Sequence, residues 1–255
     1  MTCTCCEHRL LLPSRQNRRD VLRSFGAALA ASAVPACAWA DAAHKPKTSL
    51  TPDMALAMLM KGNDEYLRDQ PFHGMLDRQR RIAIAREQHP IAVLISCSDS
   101  RVPPELLFGR GLGELFIVRN AGNTVDTTAL GSVEYAIEHL GVPLVIVLGH
   151  ERCGAVQAAV SVVKDGARFN GALGQMIEPI IPAVLEAQGE ALQGKAPQGK
   201  DWDLLDQSVR ANVRRVVERL KRSGPTLSDP LSRGTLKIIG ARYDLDDGDV
   251  DFGVA

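Results

Sequence analysis

Cys97 follows the apolar run 91–95, and His150 follows a second run, 144–148. Cys153 stands three residues after His150, the short separation of zinc ligands entering a helix. Two thiols and one imidazole make a soft donor set suited to zinc, and they leave one tetrahedral position without a protein ligand. That open position separates catalytic from structural zinc, because water there ionises near pH 7 and becomes a nucleophile. The chemistry expected is attack by water on a small electrophile, with one Zn2+ per chain. Two thiolates donate more charge than three neutral imidazoles, which weakens the Lewis acid and makes a hydrogen-bond partner for the water useful. Asp99 and Arg101 lie two residues apart just beyond Cys97, where a guanidinium can hold a carboxylate in one orientation. Asp99 is assigned to accept the hydrogen bond of the reacting water. The same carboxylate can instead swing onto the metal and close the fourth position, and both readings remain open here.

For Cys97 and His150 to meet, both runs must be strands of one sheet with their C-terminal ends side by side. Four runs, 91–95, 115–118, 144–148 and 236–239, are short, rich in Val, Ile and Leu and, Lys237 aside, free of polar residues. That is the pattern of parallel strands buried on both faces. Candidate crossover helices cover 127–140, 153–163, about 176–188 and 202–221. The fold class predicted is α/β, with a central, mainly parallel β-sheet flanked by helices and a ligand crevice at the C-terminal strand ends. Upstream, Thr51-Pro52-Asp53 opens a helix that runs to about Asp69 and breaks at Gln70-Pro71. This helix is expected to be an N-terminal arm rather than core. A second short helix is expected over 76–87, ended by His89-Pro90, and the Ala/Gln/Gly-rich stretch 187–199 reads as a surface insertion.

Residues 1–40 read as an export signal rather than as structure. Arg18-Arg19 precede a weakly apolar Ala-rich stretch, and Ala38-Trp39-Ala40 offers small residues for cleavage. The expected organisation is a twin-arginine-like signal over 1–40, a linker over 41–50 and the catalytic domain over 51–255, with periplasmic localisation. A competing reading makes Cys37, in Val34-Pro35-Ala36-Cys37, a lipidated first residue. Cys3, Cys5, Cys6 and Cys37 all precede the proposed cut, so Cys97 and Cys153 are the only cysteines beyond it. Thirty basic and thirty acidic side chains balance over the 255 residues, which argues against a nucleic-acid footprint. The leader is too short for a membrane span, so no stable span is expected.

Other motifs lose their functional reading on inspection. Gly109-Arg110-Gly111-Leu112-Gly113 superficially resembles a phosphate loop, but it precedes a strand instead of joining strand to helix. A thiol phosphatase built on Cys97 needs an arginine six residues on, and position 103 is Pro. His44, His73, His89 and His139 have no ligand spacing.

Cys-Ser-Asp-Ser-Arg-Val-Pro-Pro-Glu at 97–105, together with Gly-His-Glu-Arg-Cys-Gly-Ala at 149–155, resembles the β-class carbonic anhydrases. The likeness extends from about Thr51 to Val250, through Gly113–Asn123 and Ile239-Gly240-Ala241-Arg242-Tyr243. It implies reversible hydration of CO2 to bicarbonate, with Cys97, His150 and Cys153 as zinc ligands and Asp99 with Arg101 as the catalytic dyad. It further implies substrate contacts from Gln88, Phe116, Tyr135 and Gly154, and sites at the interface of a homodimer or higher oligomer. The allosteric branch of that family has tryptophan three residues before the first ligand, where this chain has Leu94, so the likeness is to the plant-like branch. Two alternatives stay beside this expectation. One is hydrolysis of a sulfur analogue, carbon disulfide or carbonyl sulfide, and the other is a zinc- or bicarbonate-binding module without turnover.

Overall fold

Parallel strands covered on both faces need apolar side chains pointing both ways, a demand that the runs 91–95 and 144–148 meet in full and the runs 115–118 and 236–239 only in part. The computed structural model describes residues 48–194 and 203–254. The proposed leader with Cys37, most of the linker, residues 195–199 of the expected insertion and residues 200–202 lie outside them. Strands β1 (Ala92–Cys97), β2 (Leu115–Asn120), β3 (Leu144–His150) and β4 (Lys237–Tyr243) form a sheet in the order β2-β1-β3-β4. All neighbouring pairs among them are parallel, and a short β5 (Val250–Asp251) adds antiparallel to β4. Every residue of β1 and β3 is buried.

The chain leaves β1 for β2 on one side and later returns to place β3 on the other. The crevice between the ends of β1 and β3 is therefore the switch point of the sheet, the place where such folds bind ligands. Helices α1 (Pro52–Leu67), α2 (Arg78–Ala83), α3 (Pro104–Leu107) and α4 (Thr127–Glu138) precede β3 or connect the strands before it. Between β3 and β4 lie α5 (Gly154–Asp165), α6 (Gly171–Ile177), α7 (Ile181–Leu192), α8 (Leu204–Lys221) and α9 (Pro225–Ser232).

Alternation along each strand sends the two sets of side chains to different helices. Val93, Ile95, Val145 and Val147 pack with Val133 and Ala136 of α4 and with Val213 and Val217 of α8. Leu94, Leu144, Ile146 and Leu148 pack on the other face with Ala55 and Leu59 of α1. Thr51 caps α1 by accepting from the Met54 amide at 3.2 Å, and Pro52 fills its first turn, as the sequence suggested. The helix, expected as an arm rather than core, thus has one face in the core, because Ala55 and Leu59 meet the apolar side chains of β1 and β3, while Met54, Met60, Tyr66 and Leu67 are exposed.

Three expectations need correction. The second helix is only Arg78–Ala83, because Asp77 caps its start and Ile82 finds no apolar surface to pack on, being 58% exposed. The segment near 176–188 is α6, a 3-10 turn (Glu178–Ile180) and α7, since Pro179 and Pro182 lack the N–H that a continuous helix needs. The start of the expected insertion is helix: Ala183, Val184 and Ala187 form a buried stripe at helical spacing, and α7 continues to Leu192. Helices α3 and α9 and strand β5 are additions to the elements expected from the sequence. No helix among the described residues is long and apolar enough to cross a membrane.

Candidate active site

Cys97 is the last residue of β1, His150 the last of β3, and Cys153 immediately precedes α5. All three are buried, and their ligating atoms lie within 4.8 Å of one another. The two sulfurs are 4.0 Å apart. Parallel pairing of β1 with β3 brings the first two side chains together, and the tight turn at Arg152, whose φ is +51°, returns the chain so that Cys153 joins them.

His150 Nδ1 lies 2.8 Å from the Glu151 carbonyl oxygen, which can only accept, so Nδ1 carries a proton and Nε2 is the nitrogen left to face a ligand. That Nε2 is buried without a hydrogen-bond partner. Asp99 Oδ2 is 3.9 Å away, beyond hydrogen-bonding reach. An orphaned imidazole nitrogen beside two sulfurs is an arrangement that a soft divalent metal completes, and the donor set fits zinc. Donation from the Cys153 thiol holds Cys97 well below the ordinary thiol range, against the opposing push of burial. Cys153 is driven up because it is the donor in that pair and is itself buried.

Asp99 and Arg101 form a bidentate pair. Arg101 Nε donates to Oδ1 at 2.9 Å, Arg101 Nη2 donates to Oδ2 at 2.8 Å, and the Arg101 amide adds a third bond to Oδ1 at 3.0 Å. These bonds keep the Asp99 carboxyl well below the usual carboxylate range despite its partial burial, so it accepts and does not donate. The charged side chain Arg119, on β2, supports both motifs from below: Nε donates to the Cys97 carbonyl at 2.8 Å and Nη2 to the Asp99 carbonyl at 2.7 Å. Gly122 donates its amide to Cys97 Sγ at 3.4 Å. The supporting roles of Arg119 and Gly122 escaped the sequence reading because their partners are backbone or sulfur atoms brought close only by strand register.

A second acidic group, Glu151, Asp244 and Asp246, lies at the same end of the sheet. Its charge is answered by Arg152, which pairs with Asp246 and Glu151, and by Arg242, which pairs with Glu151 and Asp244.

The remaining residues named from the sequence are distributed differently. Phe116 and Tyr135 pack together, with ring centres 6.3 Å apart, but Phe116 pairs with Val93 at the far end of the strand from Cys97. Four residues of strand separate the two levels, roughly 13 Å. Gln88 is exposed on the segment before β1, and Tyr135 is 48% exposed. Gly154, next to Cys153, has open space where a side chain would stand. The fold therefore brings Cys97, His150, Cys153, Asp99 and Arg101 together and leaves the aromatic pair at an exposed edge.

The profile of a family described as carbonic anhydrase matches residues 92–250, the span from β1 to the start of β5. The chain belongs to the carbonic anhydrase family. Carbonic anhydrase 2 of Mycobacterium tuberculosis strain H37Rv is 36% identical over 197 residues, covering 77% of this chain and 90% of that protein. The carbonic anhydrase of Mycolicibacterium smegmatis is also 36% identical, over 78% of this chain and 92% of its own. Among solved structures, the β-carbonic anhydrase CafA of Aspergillus fumigatus superposes with a TM-score of 0.60 at 25% identity, covering 80% of this chain and 91% of that one. The Coccomyxa β-carbonic anhydrase, solved with acetazolamide, gives 0.57 at 27% identity, covering 78% and 84%. One of two β-carbonic anhydrases of Sordaria macrospora described as tetrameric gives 0.58 at 26% identity, covering 67% and 83%. This carbonic anhydrase is thus an enzyme of the β class, with the mainly parallel α/β sheet of its structural neighbours.

Proposed function

We propose that the chain catalyses zinc-dependent, reversible hydration of CO2 to bicarbonate and a proton, with Cys97, His150 and Cys153 holding one Zn2+. The observation that carries this reading is the buried three-donor group with an orphaned His150 Nε2 beside an intact Asp99–Arg101 pair. Bound zinc supplies Lewis acidity that brings the ionisation of water close to neutral pH. Asp99 accepts a hydrogen bond from the attacking oxygen and turns that oxygen's free lone pair toward the carbon of CO2. Arg101 keeps the carboxylate ionised and in one rotamer, and Arg119 fixes the backbone between ligand and dyad. The new C–O bond forms as one C=O π pair moves onto oxygen, and the proton of the water leaves to buffer.

Substrate contacts from Gln88, Phe116, Tyr135 and Gly154 belong to the same proposal. Within one protomer the Phe116–Tyr135 pair is displaced along the strand from Cys97, and the exposed apolar side chains of α1 leave a face for a second copy. A homodimer or larger assembly, with the pocket shared between protomers, accommodates both facts.

Arg101 engages both Asp99 oxygens, which favours an available metal position over the permanently closed binding module. Sulfur analogues remain the second catalytic reading, since they present the same linear electrophile. Turnover of CO2 is expected to exceed that of carbon disulfide and carbonyl sulfide by at least about 10²-fold in kcat/KM, a difference of about 2.7 kcal/mol in transition-state binding. Steady-state comparison of the three substrates checks this, and the reverse ranking moves the assignment to the sulfur substrate.

Export through the twin-arginine route to the periplasm completes the proposal, because that route carries folded proteins and lets zinc protect Cys97 and Cys153 before they meet an oxidising compartment. Amino-terminal sequencing of the processed chain is expected to begin at Asp41. A lipid-blocked Cys37 points instead to anchoring, and an unprocessed chain recovered from the cytoplasm contradicts export.

A further inference from the structure

Helix α8 carries Asn212 on its buried face, 2% exposed among Val209, Ala211, Val213 and Val216. An amide in that setting must be hydrogen-bonded, and its side chain offers no helix-forming advantage. Asn212 Nδ2 donates to the carbonyl oxygen of Gly122 at 2.9 Å, across ninety positions of sequence. Gly122 is the residue whose own amide donates to Cys97 Sγ.

The loop between them has little freedom. Gly122 has a φ of +81°, and a Cβ there would meet Ile180 Cδ1 at 2.6 Å and the Ala155 Cβ at 3.1 Å. Asn120 ties the loop from inside, accepting from the Thr124 amide at 2.9 Å and donating to the Thr124 carbonyl at 2.7 Å. Glycine alone fits the site, yet glycine does not choose its own conformation. The bond from Asn212 supplies that choice from outside the loop.

We propose that Asn212 is a positioning residue of the metal centre: by fixing the Gly122 carbonyl, it keeps the Gly122 N–H on Cys97 Sγ and so sets the place of that sulfur. An N–H bonded to a thiolate also draws charge from it, which counters the excess donation of a two-thiolate set. The inference rests on the zinc reading above.

The test compares the zinc-loaded full chain with Asn212→Leu, Asn212→Ser and Val217→Ala, the last a truncation on the same helix where it packs with side chains of β1, β3 and α4. Zinc affinity is measured by chelator competition, the sulfur-to-metal charge-transfer absorption is recorded after cobalt substitution, and Tm is taken with and without metal. Both Asn212 variants are expected to bind zinc about 10- to 100-fold more weakly and to shift the cobalt band. Val217→Ala is expected to lower Tm in both forms while zinc affinity stays within about twofold, the mark of a packing defect alone. If Asn212→Leu does not fold, Asn212→Ser, whose hydroxyl is too short to reach Gly122, decides the matter. Asn212 variants that match the wild type in zinc affinity and cobalt spectrum, whatever their Tm, overturn the proposal. Wild-type protein that takes up no zinc refutes the underlying metal assignment, and the proposal with it.

Discussion

Cys97→Ala is expected to reduce CO2 hydration at least about 10³-fold, a loss of about 4 kcal/mol in transition-state stabilisation, and to leave the purified chain largely without zinc. Cys97 contributes more than one donor atom. Its sulfur also accepts from the Gly122 amide, so alanine leaves a buried N–H without its partner. The two remaining ligands cannot enclose a metal that takes four. Metal analysis, activity and circular dichroism on one preparation check the result. Retained zinc and activity would show that the metal is held elsewhere.

Asp99→Asn separates the chemistry from metal binding. The expected outcome is a fall in kcat of about 10²-fold with zinc content unchanged, read by steady-state hydration and metal analysis. Arg101 presents two side-chain donors to two carboxylate oxygens. An asparagine answers one of them and turns an N–H₂ either toward the guanidinium or toward the attacking oxygen. In the first orientation the side chain is pushed off its position, and in the second it donates where an acceptor is needed. Wild-type kcat in Asp99→Asn would reduce the pair to an ordinary surface ion pair.

The parts of this site that sequence makes visible are those with a chemical identity of their own. Cys97 and His150 were placed at strand ends by the apolar runs before them, and the i, i+3 step to Cys153 completed the set. Asp99 and Arg101 were visible for the same reason, being charged residues beside a ligand. Arg119 and Asn212 were not, because both act on carbonyl groups that any sequence possesses, and only parallel pairing and the docking of α8 bring those carbonyls within reach. Gly122 lay inside a recognised stretch, but its amide-to-sulfur bond depends on a positive φ that glycine permits without announcing.

A similar division runs through the fold. Unalternated Val- and Ile-rich runs specified parallel strands, but only the central pair, β1 and β3, is wholly buried; β2, at the edge of the sheet, has no buried residue, and β4 alternates between partly and fully buried positions. Boundaries depended on partners instead: Ile82 belongs to an apolar spacing yet meets no surface, so α2 ends early, whereas Ala183, Val184 and Ala187 meet the core and carry α7 through a stretch that composition alone made loop-like. Strand order could not be read locally, because it is set by which side of β1 the chain crosses, and that order creates the crevice at Cys97 and His150.

The most direct test of the central claim is stopped-flow CO2 hydration by the purified chain, with zinc quantified in the same sample. The account predicts one zinc per chain and catalysed hydration that rises toward alkaline pH, disappears when zinc is chelated and returns when zinc is restored. A chain holding a full equivalent of zinc that hydrates no CO2 at any pH would contradict it.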